Sequence, residues 1–164
     1  MDVRFETKYG NKAGKNEWLT PPYILEALGA FDLDPCSPIN RPFDTAKKYF
    51  TIEDNGLLQT WKGRVFCNPP YDTKLLSEFL KKCSNHKNAI ALTFARTETK
   101  AFWNYVWKKA TAILFIKGRL RFYHVDGTQG GSAGAPSVLI AYNKSNAEIL
   151  KNCKIEGKFL WVNL

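Results

Sequence analysis

The sequence predicts a single α/β domain whose sheet is mostly parallel, with an antiparallel hairpin at one edge. Three observations carry that expectation. Strand-like and helix-like segments alternate through the middle of the chain, as strand–helix–strand units require. Ala89-Ile90-Ala91-Leu92-Thr93-Phe94 is apolar on both faces, as expected for the centre of a parallel sheet. Beyond Lys117, two strand patterns at 119–124 and 137–142 follow one another with no helix between them, so they are expected to pair as the edge hairpin.

Taken in order, residues 1–16 are mostly polar and are expected to form a flexible segment ahead of a domain spanning 17–164. Thr20-Pro21-Pro22 predicts a helix start, with Thr20 as N-cap and proline in the first turn, and Gly29 predicts its end. Phe31-Asp32-Leu33-Asp34 alternates apolar and acidic residues and stops at Pro35, the pattern of a short strand. Residues 36–47 show no clean period. Lys48-Tyr49-Phe50-Thr51-Ile52 reads as a strand and Glu53-Asp54-Asn55-Gly56 as a turn. Val65-Phe66-Cys67 is the next strand, and residues 73–84 place Leu75, Leu76, Phe79 and Leu80 at helical spacing. After the central strand come a helix over 98–109 and a strand over 112–116. The connection 125–136 holds four glycines and reads as a long hairpin loop, and residues 159–162 as a last short strand.

Hydrophobic residues make up 45% of the chain and charged residues 24%, the balance of a soluble globular protein. Apolar runs such as 137–142 are far too short to cross a bilayer, and the N-terminus lacks the apolar core of a signal peptide, so a cytoplasmic location is expected. Cys36, Cys67, Cys83 and Cys153 include no Cys-x-x-Cys pair, so reduced structural thiols and no metal site are expected. Trp61 is expected in the core, and His86 and His124 at the surface. Twenty-four Lys and Arg against 15 Asp and Glu give a net charge of +9, which favours a polyanionic partner without identifying one.

Ligands of open α/β sheets collect outside the carboxyl ends of the strands. Four such ends carry unusual residues: Asp34-Pro35, Asp54 in its turn, Asn68-Pro69-Pro70-Tyr71, and Arg96 after Phe94. The second of these two Pro-containing ends suits one chemistry well. The exocyclic amine of adenine is a poor nucleophile because its lone pair is delocalised into the ring. The Asn68 side-chain oxygen and the Pro69 carbonyl can accept its two hydrogens, with Pro70 fixing the carbonyl's direction. Tyr71 offers a face on which a flipped base can stack. The same four residues would serve any planar amine or amide, so RNA adenine and a protein glutamine amide remain alternatives, as does a non-catalytic nucleic-acid-binding module.

Asn68-Pro69-Pro70-Tyr71 resembles the [Asp/Asn/Ser]-Pro-Pro-[Tyr/Phe/Trp] motif of S-adenosylmethionine-dependent amino-methyltransferases. Six further stretches appear in the order found in the phage-type (Dam-like) DNA adenine-N6 methyltransferases, among them Glu17-Trp18-Leu19-Thr20-Pro21, Phe31-Asp32-Leu33-Asp34-Pro35 and Gly118-Arg119-Leu120-Arg121-Phe122. The resemblance runs from residue 17 to about residue 142. It implies a Rossmann-like methyltransferase domain and N6-methylation of adenine in DNA, with double-stranded DNA and a flipped base as the expected substrate, in the host cytoplasm or nucleoid if the enzyme is phage- or prophage-encoded; apart from the resemblance, a monomer is expected. It implies S-adenosylmethionine as cofactor, held by Trp18, Thr20, Pro21, Asp34, Pro35, Asp54 and Asn68, with Asn68, Pro69, Pro70 and Tyr71 catalytic. Substrate contacts are expected from Tyr71, Arg96, Arg119 and Arg121. One departure stands out: Asp-Pro-Cys-Ser follows the first strand where most methyltransferases place a glycine-rich turn.

Overall fold

The computed structural model describes residues 18–164, so the flexible segment expected over 1–16 lies outside the described residues. Among the described residues ten strands are formed: β1 (Trp18–Leu19), β2 (Leu33–Asp34), β3 (Lys48–Tyr49), β4 (Val65–Cys67), β5 (Ala89–Phe94), β6 (Ala112–Ile116), β7 (Arg121–His124), β8 (Gln129–Ser132), β9 (Ser137–Tyr142) and β10 (Gly157–Trp161). Four α-helices accompany them among the same residues: α1 (Pro22–Leu28), α2 (Thr73–His86), α3 (Lys100–Phe102) and α4 (Lys144–Asn152). The helix expected over 98–109 begins later and is not uniform. Thr99 caps α3, which passes directly into a π-helical turn at Trp103–Trp107.

Seven strands make one sheet in the order β10-β6-β9-β5-β4-β2-β3, and β1, β7 and β8 make a second. β3, β2, β4 and β5 pair in parallel, whereas β9 runs antiparallel between β5 and β6, and β10 antiparallel to β6. The sheet is therefore mixed rather than mostly parallel, and the expected edge hairpin does not form. Every residue of β9 is buried. Val138, Ile140 and Tyr142 enter one core layer, and Leu139 and Ala141 the other. A strand apolar on both faces belongs in a sheet centre, the same logic that places β5. The partner of β7 is instead β8, inside the stretch read as a loop. Gly130 and Gly131 deprived β8 of any alternating pattern, and Gly130 is needed because the Trp18 ring leaves no room there for a Cβ.

The two apolar layers flank the main sheet. Phe79 and Leu80 of α2, with Phe102 and Val106, pack against Val65, Cys67, Ile113 and Ile140. Ile24 and Leu28 of α1, with Leu150 of α4, pack against Phe66, Ile90, Leu92 and Leu114. Trp61 is buried as expected, its indole N–H donating to the Gly56 carbonyl at 2.8 Å. Both histidines lie at the surface with part of the ring covered, His86 bonded to the Gly63 carbonyl at 2.7 Å and His124 packed on Trp18. The four cysteines are free thiols, three of them buried.

Thr20 does not cap α1. Pro21 occupies the N-cap position, and its carbonyl accepts the Ile24 N–H at 3.0 Å. With proline at both 21 and 22 the helix start has fewer N–H groups to satisfy, which leaves the buried Thr20 hydroxyl for another partner.

Candidate active site

Because β3, β2, β4 and β5 are parallel, their carboxyl ends lie on one edge of the sheet. β9, being antiparallel, begins at that edge, with Ser137 opposite Phe94. The chain leaves β2 for β3 on one side and resumes at β4 on the other, so the switch in strand order falls between β2 and β4. Such a switch point opens a crevice. Asp34-Pro35 and Asn68 stand on its two sides, and below them Cys36 Sγ and Cys67 Sγ lie 3.7 Å apart. Burial pushes the Cys67 thiol well above its ordinary pKa, so it stays protonated.

The small sheet sits at the same edge. It is inserted between β6, which ends there, and β9, which starts there. Its strand β1 leads through Thr20 into the crevice, and the Ala95 N–H donates to the Pro136 carbonyl at 2.9 Å, tying the exit from β8 to the end of β5. Tyr123 meets Phe43 edge-on, which joins β7 to the loop after β2.

Asn68, Pro69 and Pro70 are buried, and Tyr71 is partly so. Asp72 then caps α2, accepting the N–H groups of Lys74 and Leu75 at 3.0 Å, so the four-residue motif is clamped between a buried strand and a capped helix. Asn68 Nδ2 donates to Thr20 Oγ1 at 3.1 Å, and the Tyr71 hydroxyl donates to Asn68 Oδ1 at 3.3 Å. The Tyr71 ring stacks on Phe94, centroids 4.4 Å apart and planes within 12°. Burial first, and Cys67 second, push the Tyr71 phenol far above its ordinary pKa, so it remains a donor.

Asp34 is 4% exposed, and its carboxylate accepts the Cys36 N–H at 3.0 Å and the Thr45 hydroxyl. These two bonds fix the direction of the carboxylate. Asp54 is exposed in its turn, accepting from the Thr51 N–H at 2.8 Å and the Thr51 hydroxyl at 3.2 Å. That turn is drawn onto β2: Gly56 lies against the Pro35 carbonyl with no space for a Cβ. Trp18 is packed against His124, centroids 4.4 Å apart, and Pro21 is buried beside Thr20.

The arginines are placed differently from these buried groups. Arg96 is exposed just past Phe94, in a turn where its carbonyl accepts the Thr99 hydroxyl at 2.9 Å. Arg119 Nη1 donates to the Ala133 carbonyl at 3.1 Å and Arg121 Nε to that of Gly130 at 3.0 Å, both across the β7/β8 pair. Both are exposed while Leu120 and Phe122 are buried, as the alternation predicted.

The structure thus brings Thr20, Pro21, Asp34, Pro35, Asn68–Tyr71 and Arg96 to one edge, with Arg119 and Arg121 on the sheet inserted there. Sequence reasoning missed Phe94 as the partner of Tyr71, although its place at the end of a wholly apolar strand was a usable signal. It also missed Ser137, whose buried hydroxyl has no hydrogen-bond partner among the described residues.

The family model of the DNA N-6-adenine-methyltransferases (Dam) matches residues 8–155. The chain belongs to the Dam family. It is an adenine-specific DNA methyltransferase, acting on the N6 amine of adenine in DNA with a methyl donor, and nothing supports the RNA, glutamine or non-catalytic alternatives. No curated protein and no solved structure matches the chain. For this methyltransferase no helix among the described residues is long and apolar enough to cross a membrane, and no group of three or more His, Cys, Asp or Glu among them could hold a metal ion.

Proposed function

We propose that this Dam-family enzyme methylates a flipped adenine of duplex DNA at the β2/β4 crevice, with S-adenosylmethionine as donor and the mixed sheet serving as a Rossmann-like methyltransferase core. The observation that carries the reading is the Asn68 amide, buried at the switch point and bonded at both ends. It is a preorganised acceptor whose oxygen already takes a hydrogen bond from a neutral donor, the Tyr71 hydroxyl.

The donor set fits the cofactor. Asp34 is a buried carboxylate held in a fixed direction by the Cys36 N–H and the Thr45 hydroxyl, and a carboxylate at that place is suited to ribose hydroxyls or an adenine amine. Trp18, Thr20, Pro21, Pro35 and the Asp54 turn border the same end of the sheet, and Asn68 would touch both cofactor and target. The chemistry the cofactor supplies when bound is an electrophilic methyl group on a sulfonium.

The rest belongs to the chain. Asn68 Oδ1 and the Pro69 carbonyl accept the two hydrogens of the adenine amine, which moves electron density onto N6 and shifts it toward the geometry of attack. Pro70 fixes the direction of that carbonyl. Tyr71 stacks on the base and helps to exclude water. Acceptors held in place before the substrate arrives need no reorganisation during reaction, which is the main source of catalysis by fixed dipoles. Arg96, Arg119 and Arg121 meet the DNA backbone or base edges, a role their exposure and the charge of +9 support.

The test is transfer of labelled methyl from S-adenosylmethionine to unmethylated duplex DNA, with nucleoside identification of the product and single-stranded DNA as control. N6-methyladenine from the duplex is the expected result. Methylation of single strands alone would overturn the base-flipping reading, and no cofactor binding by calorimetry would overturn the donor assignment.

A further inference from the structure

We propose that Thr20 is a positioning residue for methyl transfer, its hydroxyl anchoring the Asn68 amide by the nitrogen so that Oδ1 is the atom that meets the reacting amine. The inference rests on the assignment of Asn68 to the adenine amine, and it gives Thr20 a role separate from any contact with the cofactor.

An asparagine side chain has two ends of similar shape and opposite hydrogen-bonding character. With Oδ1 toward the exocyclic amine, Asn68 accepts an N6–H. Turned over, it presents N–H donors to a group that is itself a donor. In a buried setting the partners decide between the two arrangements. Thr20 Oγ1 accepts from Nδ2 at 3.1 Å, with Thr20 2% exposed and Asn68 7% exposed, so water is poorly placed to take over the bond.

The bond on the other side is of a different kind. The Tyr71 hydroxyl donates to Oδ1 at 3.3 Å, on the acceptor that the N6 amine must use. The amide oxygen has two lone pairs, so it can accept the N6–H beside the Tyr71 hydroxyl, and the Thr20 bond, made at the nitrogen end, competes with neither. Thr20 reaches Asn68 across 48 residues of sequence because β1 pairs with β7 and the chain then turns at Pro21 into α1. The small sheet is thereby linked, through one hydroxyl, to the reacting position.

The experiment measures turnover at saturating S-adenosylmethionine and duplex DNA, together with cofactor affinity, for the full chain carrying Thr20→Val, Thr20→Ser, Asn68→Asp, and Thr20→Val combined with Asn68→Asp. Valine keeps the branched shape and removes the hydroxyl; serine keeps the hydroxyl. Loss of one buried partner predicts a fall in kcat of about tenfold for Thr20→Val, and a value within about threefold of wild type for Thr20→Ser. In the Asn68→Asp background both terminal atoms are oxygens, so orientation no longer matters and Thr20→Val costs less than about threefold more.

Equal penalties in the two backgrounds, with cofactor affinity falling in parallel, would overturn the proposal and leave Thr20 as a cofactor contact. Wild-type kcat in Thr20→Val would also overturn it. Should Asn68→Asp prove inactive, the serine and valine variants decide: equal kcat losses count against the proposal, and recovery with serine supports it. Failure of the underlying reading shows separately, as an Asn68→Ala enzyme whose turnover stays near wild type.

Discussion

Asp34 and Asp126 close turns in the same way in two parts of the molecule. Asp34 accepts the N–H of Cys36, two residues on, at 3.0 Å, together with the Thr45 hydroxyl. Asp126 accepts the N–H of Thr128, two residues on, at 2.9 Å, together with the Thr128 hydroxyl at 2.6 Å. The first lies buried at the edge of the main sheet, and the second is exposed between β7 and β8. Where water can replace a partner, the same bonds matter little; where it cannot, an orphaned partner is costly. The two sheets differ in the same respect. At the main-sheet edge, Asp34, Asn68 and Thr20 are fixed by burial and specific partners. The small sheet offers Arg119 and Arg121 to solvent, where charge works at a distance and tolerates imprecision.

This contrast breaks most visibly at Tyr71. Base–aromatic stacking is worth about 1–3 kcal/mol, so Tyr71→Ala is expected to lower kcat/KM by roughly 10- to 100-fold. Tyr71→Phe keeps the ring and is expected to stay within a few fold, and equal losses in the two variants would remove stacking from the account. Asp34→Ala leaves a buried N–H and hydroxyl without their acceptor and is expected to lower unfolding stability by about 1–3 kcal/mol, read by urea denaturation without ligands. Asp126→Ala should move the urea midpoint far less than Asp34→Ala does.

Smaller effects are expected on the charged side. Arg119→Ala and Arg121→Ala should each weaken duplex binding and reduce the slope of log affinity against log salt by about one, measured by fluorescence anisotropy across a salt series. An unchanged slope would leave these arginines to hold β8 alone. The smallest effect concerns pH. The Thr128 hydroxyl, then its amide, hold the Asp126 carboxylate below its ordinary pKa. Because the folded value is depressed, the contribution of this turn is present above the unfolded carboxylate value and is lost as pH falls through the folded one. NMR titration of Asp126 should give a midpoint below the ordinary aspartate value, and Thr128→Ala should return it toward that value.

Much of the fold was legible where local pattern and final environment agree. β4, β5 and β6 have the bounds their apolar runs predict. β9 had the correct bounds but the wrong place, because pairing partners depend on which strands are buried on both faces and not on which are adjacent in sequence. α4 was missed although a signal existed: Asn143 caps it by accepting the Asn146 N–H at 2.8 Å, with Ala147 and Leu150 buried one turn apart. Two-residue β1 and glycine-bearing β8 had no periodicity to read. At the site, residue types carried the motif, because an amide, two prolines and a phenol are unusual at a strand end. The Thr20–Asn68 bond was not legible: it joins residues brought together only by the pairing of a second sheet.

The role proposed for the Asn68 amide is to act on the adenine amine in the transition state. Single-turnover methylation of duplex DNA by Asn68→Ala, beside equilibrium binding of S-adenosylmethionine, tests it most directly. The predicted result is a rate lower by ~10²-fold or more with cofactor affinity within a few fold, the scale of losing one positioned catalytic dipole. A methylation rate near wild type, or a loss accounted for entirely by weaker cofactor binding, would contradict it.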